Sequence, residues 1–74
     1  MSNIETLAGV LERITFQSED TGFGIFKVEC KGIRDLVTIT GVCAVIHVGE
    51  YIEAQGLWFN DKKYGRQFKA NEIK

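Results

Sequence analysis

Proline is absent from this 74-residue chain, histidine occurs once and cysteine twice. Without proline, no position is barred from donating to a β-ladder, and no sheet edge is blocked by that residue. Cys30 and Cys43 are too few to staple a disulfide scaffold, and with no CxxC pair and only His47 a zinc site lacks ligands. Both thiols stand in apolar, strand-like contexts, where free cysteine behaves as a small hydrophobe. They are expected reduced and at least half-buried, in a cytoplasmic protein; a 30–43 bridge is the less favoured alternative. No apolar run approaches the ~20 residues of a membrane span. The opening Met1-Ser2-Asn3-Ile4-Glu5 has neither the basic nor the apolar segment of a secretory leader.

Chemistry-bearing motifs are equally scarce. No GxxxxGK[ST] phosphate loop occurs. Gly22-Phe23-Gly24 begins a G-x-G, but Lys27 replaces the third glycine of GxGxxG and the segment opens a strand, not a helix. These glycines are better read as turn and curvature positions. The two serines, Ser2 and Ser18, have no base at a recognisable spacing, and the ten carboxylates are scattered. The residues therefore offer no catalytic constellation and no cofactor or metal site of their own.

What is present is strand patterning. The length allows one small domain, residues 1–74. β-branched and aromatic residues are frequent, turn signals recur about every 8–15 residues, and no long stretch keeps the i, i+3, i+4 apolar period of a helix. Five strands are predicted. The first, residues 7–17, places Val10, Ile14 and Phe16 on one parity; its mixed phase predicts a long, curved strand with a bulge near Gly9, paired at both ends. The second, 23–30, opposes Phe26, Val28 and Cys30 to Phe23, Ile25, Lys27 and Glu29. The third, 36–41, opposes Val37 and Ile39 to Leu36, Thr38 and Thr40. Residues 42–49 read as a buried apolar connection with about one helical turn, too short for an independent helix. The fourth strand, 51–59, turns Ile52, Ala54, Gly56 and Trp58 to one face, with Trp58 in the core and Tyr51 and Phe59 outward. The fifth, 66–73, pairs Phe68 with Ala70 against Gln67, Lys69, Asn71 and Ile73. This is an all-β chain, best fitted by a small five-stranded OB-like barrel, with an SH3-like barrel as the alternative.

The net charge of −1 hides an asymmetry: residues 1–57 sum to −4 and residues 58–74 to +3. A near-neutral total argues against strong sequence-blind affinity for nucleic acid. Any such contact should involve the last two strands and their polar tip, where Lys62, Lys63, Tyr64, Arg66 and Lys69 lie near Trp58, Phe59 and Phe68. Cations among aromatics suit single-stranded nucleic acid, charge meeting phosphate and π-faces meeting bases. On an OB-like barrel the face of strands two and three carries ligands, and here it offers Phe23, Lys27 and few others. The nucleic-acid-binding candidates are thus Phe23, Lys27, Lys62, Lys63, Tyr64, Arg66 and Lys69. The same residues also suit a plain solvated hairpin whose aromatics fill a barrel, or a protein-docking module without nucleic acid.

Five pieces occur in order: Gly9-Val10-Leu11-Glu12-Arg13-Ile14-Thr15-Phe16; Thr21-Gly22-Phe23; Asp35-Leu36-Val37-Thr38-Ile39-Thr40-Gly41; Gly49-Glu50-Tyr51; and Tyr64-Gly65-Arg66-Gln67-Phe68-Lys69-Ala70. This ordered set resembles the N-terminal segment of RecD-like (RecD/TraA type) ATP-dependent DNA helicases, related to the exodeoxyribonuclease V alpha subunit. The chain departs from the resemblance at Val48, where proline is expected. The resemblance implies an OB-like domain that is the N-terminal part of a larger bacterial, cytoplasmic enzyme of DNA repair and recombination. It implies that ATP and Mg belong to a motor outside these residues, where ATP hydrolysis drives 5′-to-3′ unwinding. Its implied partners are the rest of the helicase chain and single-stranded DNA, with no membrane.

Overall fold

The computed structural model describes residues 3–43 and 45–74. Five strands are present: β1 (Glu5–Gln17), β2 (Phe23–Cys30), β3 (Val37–Val42), β4 (Tyr51–Asp61) and β5 (Gly65–Ile73). They close into a barrel in the order β1-β2-β3-β5-β4, with β4 returning to β1. All neighbours are antiparallel except β3 and β5, which run parallel and share only the pairs Ile39↔Phe68 and Thr40↔Lys69. This Greek-key order is that of the OB-like barrel, and the SH3-like alternative is set aside.

β1 belongs to two sheets at once. Its first half pairs with β4 from Glu5↔Gly56 to Val10↔Tyr51, and its second half pairs with β2 from Gly9↔Cys30 to Gln17↔Gly24. The expected bulge near Gly9 is not there. The register shifts instead at Glu12, between Leu11 and Arg13, and at Thr15, between Ile14 and Phe16. Each extra residue moves the inward phase by one. Leu11 is buried and Ile14 and Gln17 are half-buried, at spacings of three, whereas Val10 and Phe16 are exposed. The shared face expected for Val10, Ile14 and Phe16 is thereby corrected. Thr15 Oγ1 donates to Ile25 O at 2.9 Å, tying down the second bulge. A third shift, at Asn71 on β5, opposes Gln55↔Glu72 to Gly56↔Ala70. It turns Ile73 back onto the core with Phe68 and Ala70, not outward with Lys69 as simple alternation predicts.

Gly9 does have a structural reason. A Cβ there would sit 2.1 Å from the Glu29 carbonyl oxygen, because the strands cross closely where β1 passes between sheets. The core comprises Leu11, Phe26, Val28, Cys30, Val37, Ile39, Ile46, Ile52, Ala54 and Phe68. Removing each larger apolar side chain from water stabilises the fold by roughly 1.5–3 kcal/mol. Both thiols are free; Cys30 is buried and Cys43 half-buried, and burial raises the pKa of each.

The 42–49 connection differs from expectation. Its described residues form no helical turn, and Ala44 lies outside the described residues. Among its described residues only Ile46 is buried, joining the core, while Val42, Val45 and Val48 are exposed. The segment ends in a β-turn, Glu50 N donating to His47 O at 3.1 Å, with Gly49 at φ 95°. Val48 occupies the second turn position, where proline pre-sets φ. Hydrogen bonds from Gly49 N to Leu11 O and from Leu11 N to Glu50 O, both 2.8 Å, fasten this turn to β1.

Two substitutions test this account. Gly9→Ala should lower stability by at least about 2 kcal/mol, since backbone rather than a flexible side chain obstructs the new methyl. Val48→Pro should raise it by about 0.4–1 kcal/mol by narrowing the unfolded ensemble. Urea unfolding of both variants beside the parent chain measures each sign.

Candidate nucleic-acid interface

The barrel wall is not closed evenly. β3 and β5 share only two ladder pairs, although they pack side by side beyond them, Gly41 lying against Ala70. The β4–β5 hairpin lies against the outer face of β2 and β3, Tyr64 and Gln67 sharing cavities with Ile25, Thr38 and Thr40. Its loop, residues 62–64, is bounded by the pair Asp61↔Gly65. Asp61 Oδ1 accepts from Lys63 N at 2.8 Å and from Tyr64 N at 2.9 Å, an Asx-type turn. Gly65 follows at φ 82°, a left-handed conformation that glycine adopts without steric cost.

The result is a groove made of two adjoining cavities. One, about 360 Å³, is lined by Thr15, Phe16, Ile25, Lys27, Thr38, Tyr64 and Gln67. The other, about 530 Å³, runs from Phe23 and Thr40 to Asp61 and Lys69, and shares Ile25, Tyr64 and Gln67 with the first. Tyr64 therefore stands at the middle of the groove. Its ring is 69% exposed, and Phe16 and Phe23 are 51% and 39% exposed. These are three accessible π-faces along one channel.

Of the residues expected at the site, Phe23, Lys27, Tyr64 and Lys69 line this groove. Lys27 Nζ lies along the sheet and donates to Thr38 Oγ1. Lys69 Nζ sits 3.8 Å from the Phe59 ring centroid. Lys62 and Lys63 are exposed at the hairpin tip and do not line the groove; Lys63 Nζ lies 5.3 Å from the Tyr64 ring. Arg66 is turned to the other face of β5. Its guanidinium stacks at 4.0 Å on Trp58, whose ring meets Phe68 edge-on at 5.2 Å. Trp58 is thus half-buried, packed on the core below and covered by Arg66, rather than fully inside. Such cation–π contacts are worth about 0.5–1 kcal/mol each at exposed positions.

Phe16 and Gln67 are groove residues that strand alternation alone did not identify as site residues. The bulges at Glu12 and Thr15 carry Phe16 outward opposite Ile25. The same shifts set Arg13 opposite Lys27, adding a cation to that row. A sequence signal for Phe16 existed in the polar Glu12 and Thr15 that interrupt its run, but nothing local says which residue is extra.

Electrostatically the groove is mixed. Lys69 shares its cavity with Asp61, whose carboxyl is held below the usual carboxylate range chiefly by the hydrogen bonds from the Tyr64 and Lys63 amides. A separate cavity of about 400 Å³ at the β1–β2 turn carries Glu19 and Asp20, which repel phosphate. Among the described residues no group of three or more His, Cys, Asp or Glu could hold a metal ion. Nor is any helix among them long and apolar enough to cross a membrane. His47 lies on the surface with Nδ1 3.2 Å from Glu50 Oε1, apart from the groove. The arrangement suits holding a flat, anionic, extended ligand.

Asp61 carries a test of the hairpin. Its folded pKa lies below its unfolded value, so its contribution is complete above the unfolded value and fades as pH falls through the folded one. NMR should show the Lys63 and Tyr64 amides titrating together, with a midpoint below that of free aspartate. Asp61→Ala should abolish that inflection and speed exchange of the Tyr64 amide. A midpoint at the ordinary value would contradict the geometry.

A family model described as ATP-dependent DNA helicase YrrC, OB-fold domain, matches residues 4–74. No curated protein and no solved structure matches the chain.

Proposed function

Because the chain belongs to the family of the OB-fold domain of the ATP-dependent DNA helicase YrrC, we propose that it is the non-catalytic N-terminal domain of a RecD/TraA-type helicase. In this reading residues 1–74 guide single-stranded DNA toward a motor that follows them. That motor binds ATP and Mg, unwinds 5′ to 3′, and serves DNA repair and recombination in the bacterial cytoplasm.

The observation that supports this reading is the groove centred on Tyr64. It offers three aromatic faces and two lysines along the β2–β3 surface, where OB barrels take oligonucleotides. Phe16, Phe23 and Tyr64 would stack on bases. Lys27 and Lys69 would meet phosphates within the groove, and Lys62 and Lys63 would meet them at the tip. Arg66 acts at one remove, by holding Trp58 and so the hairpin. Stacking contributes roughly 1–3 kcal/mol per base, so two or three bases and few cations give weak binding alone. Weak binding suits a domain tethered to a motor, where linkage raises the local concentration.

Titration with labelled oligo-dT at two salt concentrations tests the reading. Affinity should fall as salt rises, with a log–log slope of about −0.7 per contacted phosphate. Tyr64→Ala should weaken binding by about five-fold or more. Lys69→Ala should shrink the slope by roughly one contact. Absence of binding at millimolar protein would leave docking onto the motor as the function.

A further inference from the structure

The start of β4 is covered on one side only. β1 pairs with it from Tyr51 to Gly56, but the β5 ladder begins at Ala54↔Ile73. Lys74 extends that ladder by one step, exchanging both main-chain bonds with Glu53: Lys74 N to Glu53 O at 2.8 Å and Glu53 N to Lys74 O at 3.1 Å. Exchanged pairs recur at every second residue of an antiparallel ladder. Tyr51 therefore presents its N–H and C=O to the same side as Glu53. The carbonyl of Glu50, bonded to Leu11 N, faces β1 as that alternation requires. Among the described residues no strand lies against Tyr51 on its open side.

An unpaired strand edge is a template for another strand. The apolar surface near it lies on the other side of β4, across β1. Tyr51 is 67% exposed, and Val10 and Ile33 are 36% and 37% exposed. With Ala8 they line a groove of about 380 Å³ that shares no residue with the Tyr64 groove.

We propose that this edge receives the polypeptide that follows Lys74 in the parent helicase. β5 runs on, and the residue two places past Lys74 pairs with Tyr51. The occupant follows from direction and register. β5 reaches Lys74 already paired with Glu53 and heading toward Tyr51, so the next residues arrive there without a turn. The inference rests on reading the chain as a helicase N-terminal domain.

The parent reading frame is determined first. Motor motifs downstream of Lys74 support the helicase reading, and a frame without them overturns both that reading and this inference. Native-state hydrogen exchange is then followed at the Tyr51 amide in the 74-residue chain and in the full parent chain. Exchange should be fast in the short chain and slower by about 100-fold or more in the parent. Equal rates overturn the inference and leave the helicase assignment standing. Protection in the short chain that rises with protein concentration also overturns it, by showing a second copy at the edge.

Discussion

Barrel closure depends on the close crossing of backbones at Gly9. There β1 leaves one sheet for the other, pairing with Cys30 on β2 and with Ile52 on β4. The Glu29 carbonyl occupies the space a side chain would need. Gly56 repeats the device on β4, where a Cβ would fall 2.0 Å from the Lys69 carbonyl oxygen. A short chain has a small core. Bringing the strands this close lets ten buried side chains form one contiguous cluster. The Glu12, Thr15 and Asn71 bulges complete the closure by curving the strands while returning Ile14, Gln17 and Ile73 to the inside.

The groove is a consequence of the same closure. The parallel β3–β5 seam has only two ladder pairs, Ile39↔Phe68 and Thr40↔Lys69. Beside it the hairpin brings Tyr64 into the two cavities that hold Phe16 and Phe23. Its cations are partly engaged within the hairpin, Arg66 on Trp58 and Lys69 on Phe59. They stiffen the flap as well as charging it. An acidic turn at Glu19 and Asp20 keeps the remaining surface poor in phosphate affinity.

Much of the fold was legible along the chain. β2 alternates cleanly, and Phe26, Val28 and Cys30 are all buried as period two requires. β4 behaves likewise at Ile52, Ala54 and Gly56, with Tyr51 and Phe59 outward. Turn residues marked the strand ends, at Gly22, Gly49 and Gly65, each at positive φ. The apolar 42–49 run misled because hydropathy cannot tell a buried connection from a loop that inserts one side chain, Ile46, and leaves its valines in water. For the candidate site, Phe23, Lys27, Tyr64 and Lys69 could be named from type and position. Phe16 could not, since its direction is set by two bulges that period-two reasoning has no means of locating.

Sequence alone determined the five extended segments, the glycines that turn them, the cationic aromatic hairpin and the family resemblance. Each is a local property, set by backbone preference and side-chain chemistry within a few residues. The tertiary structure decided which residues are extra in β1 and β5, that Arg66 covers Trp58 instead of facing the groove, and that β4 begins with an open edge at Tyr51. Those outcomes depend on register between strands distant in the chain, and register is settled only when all five close together around one core.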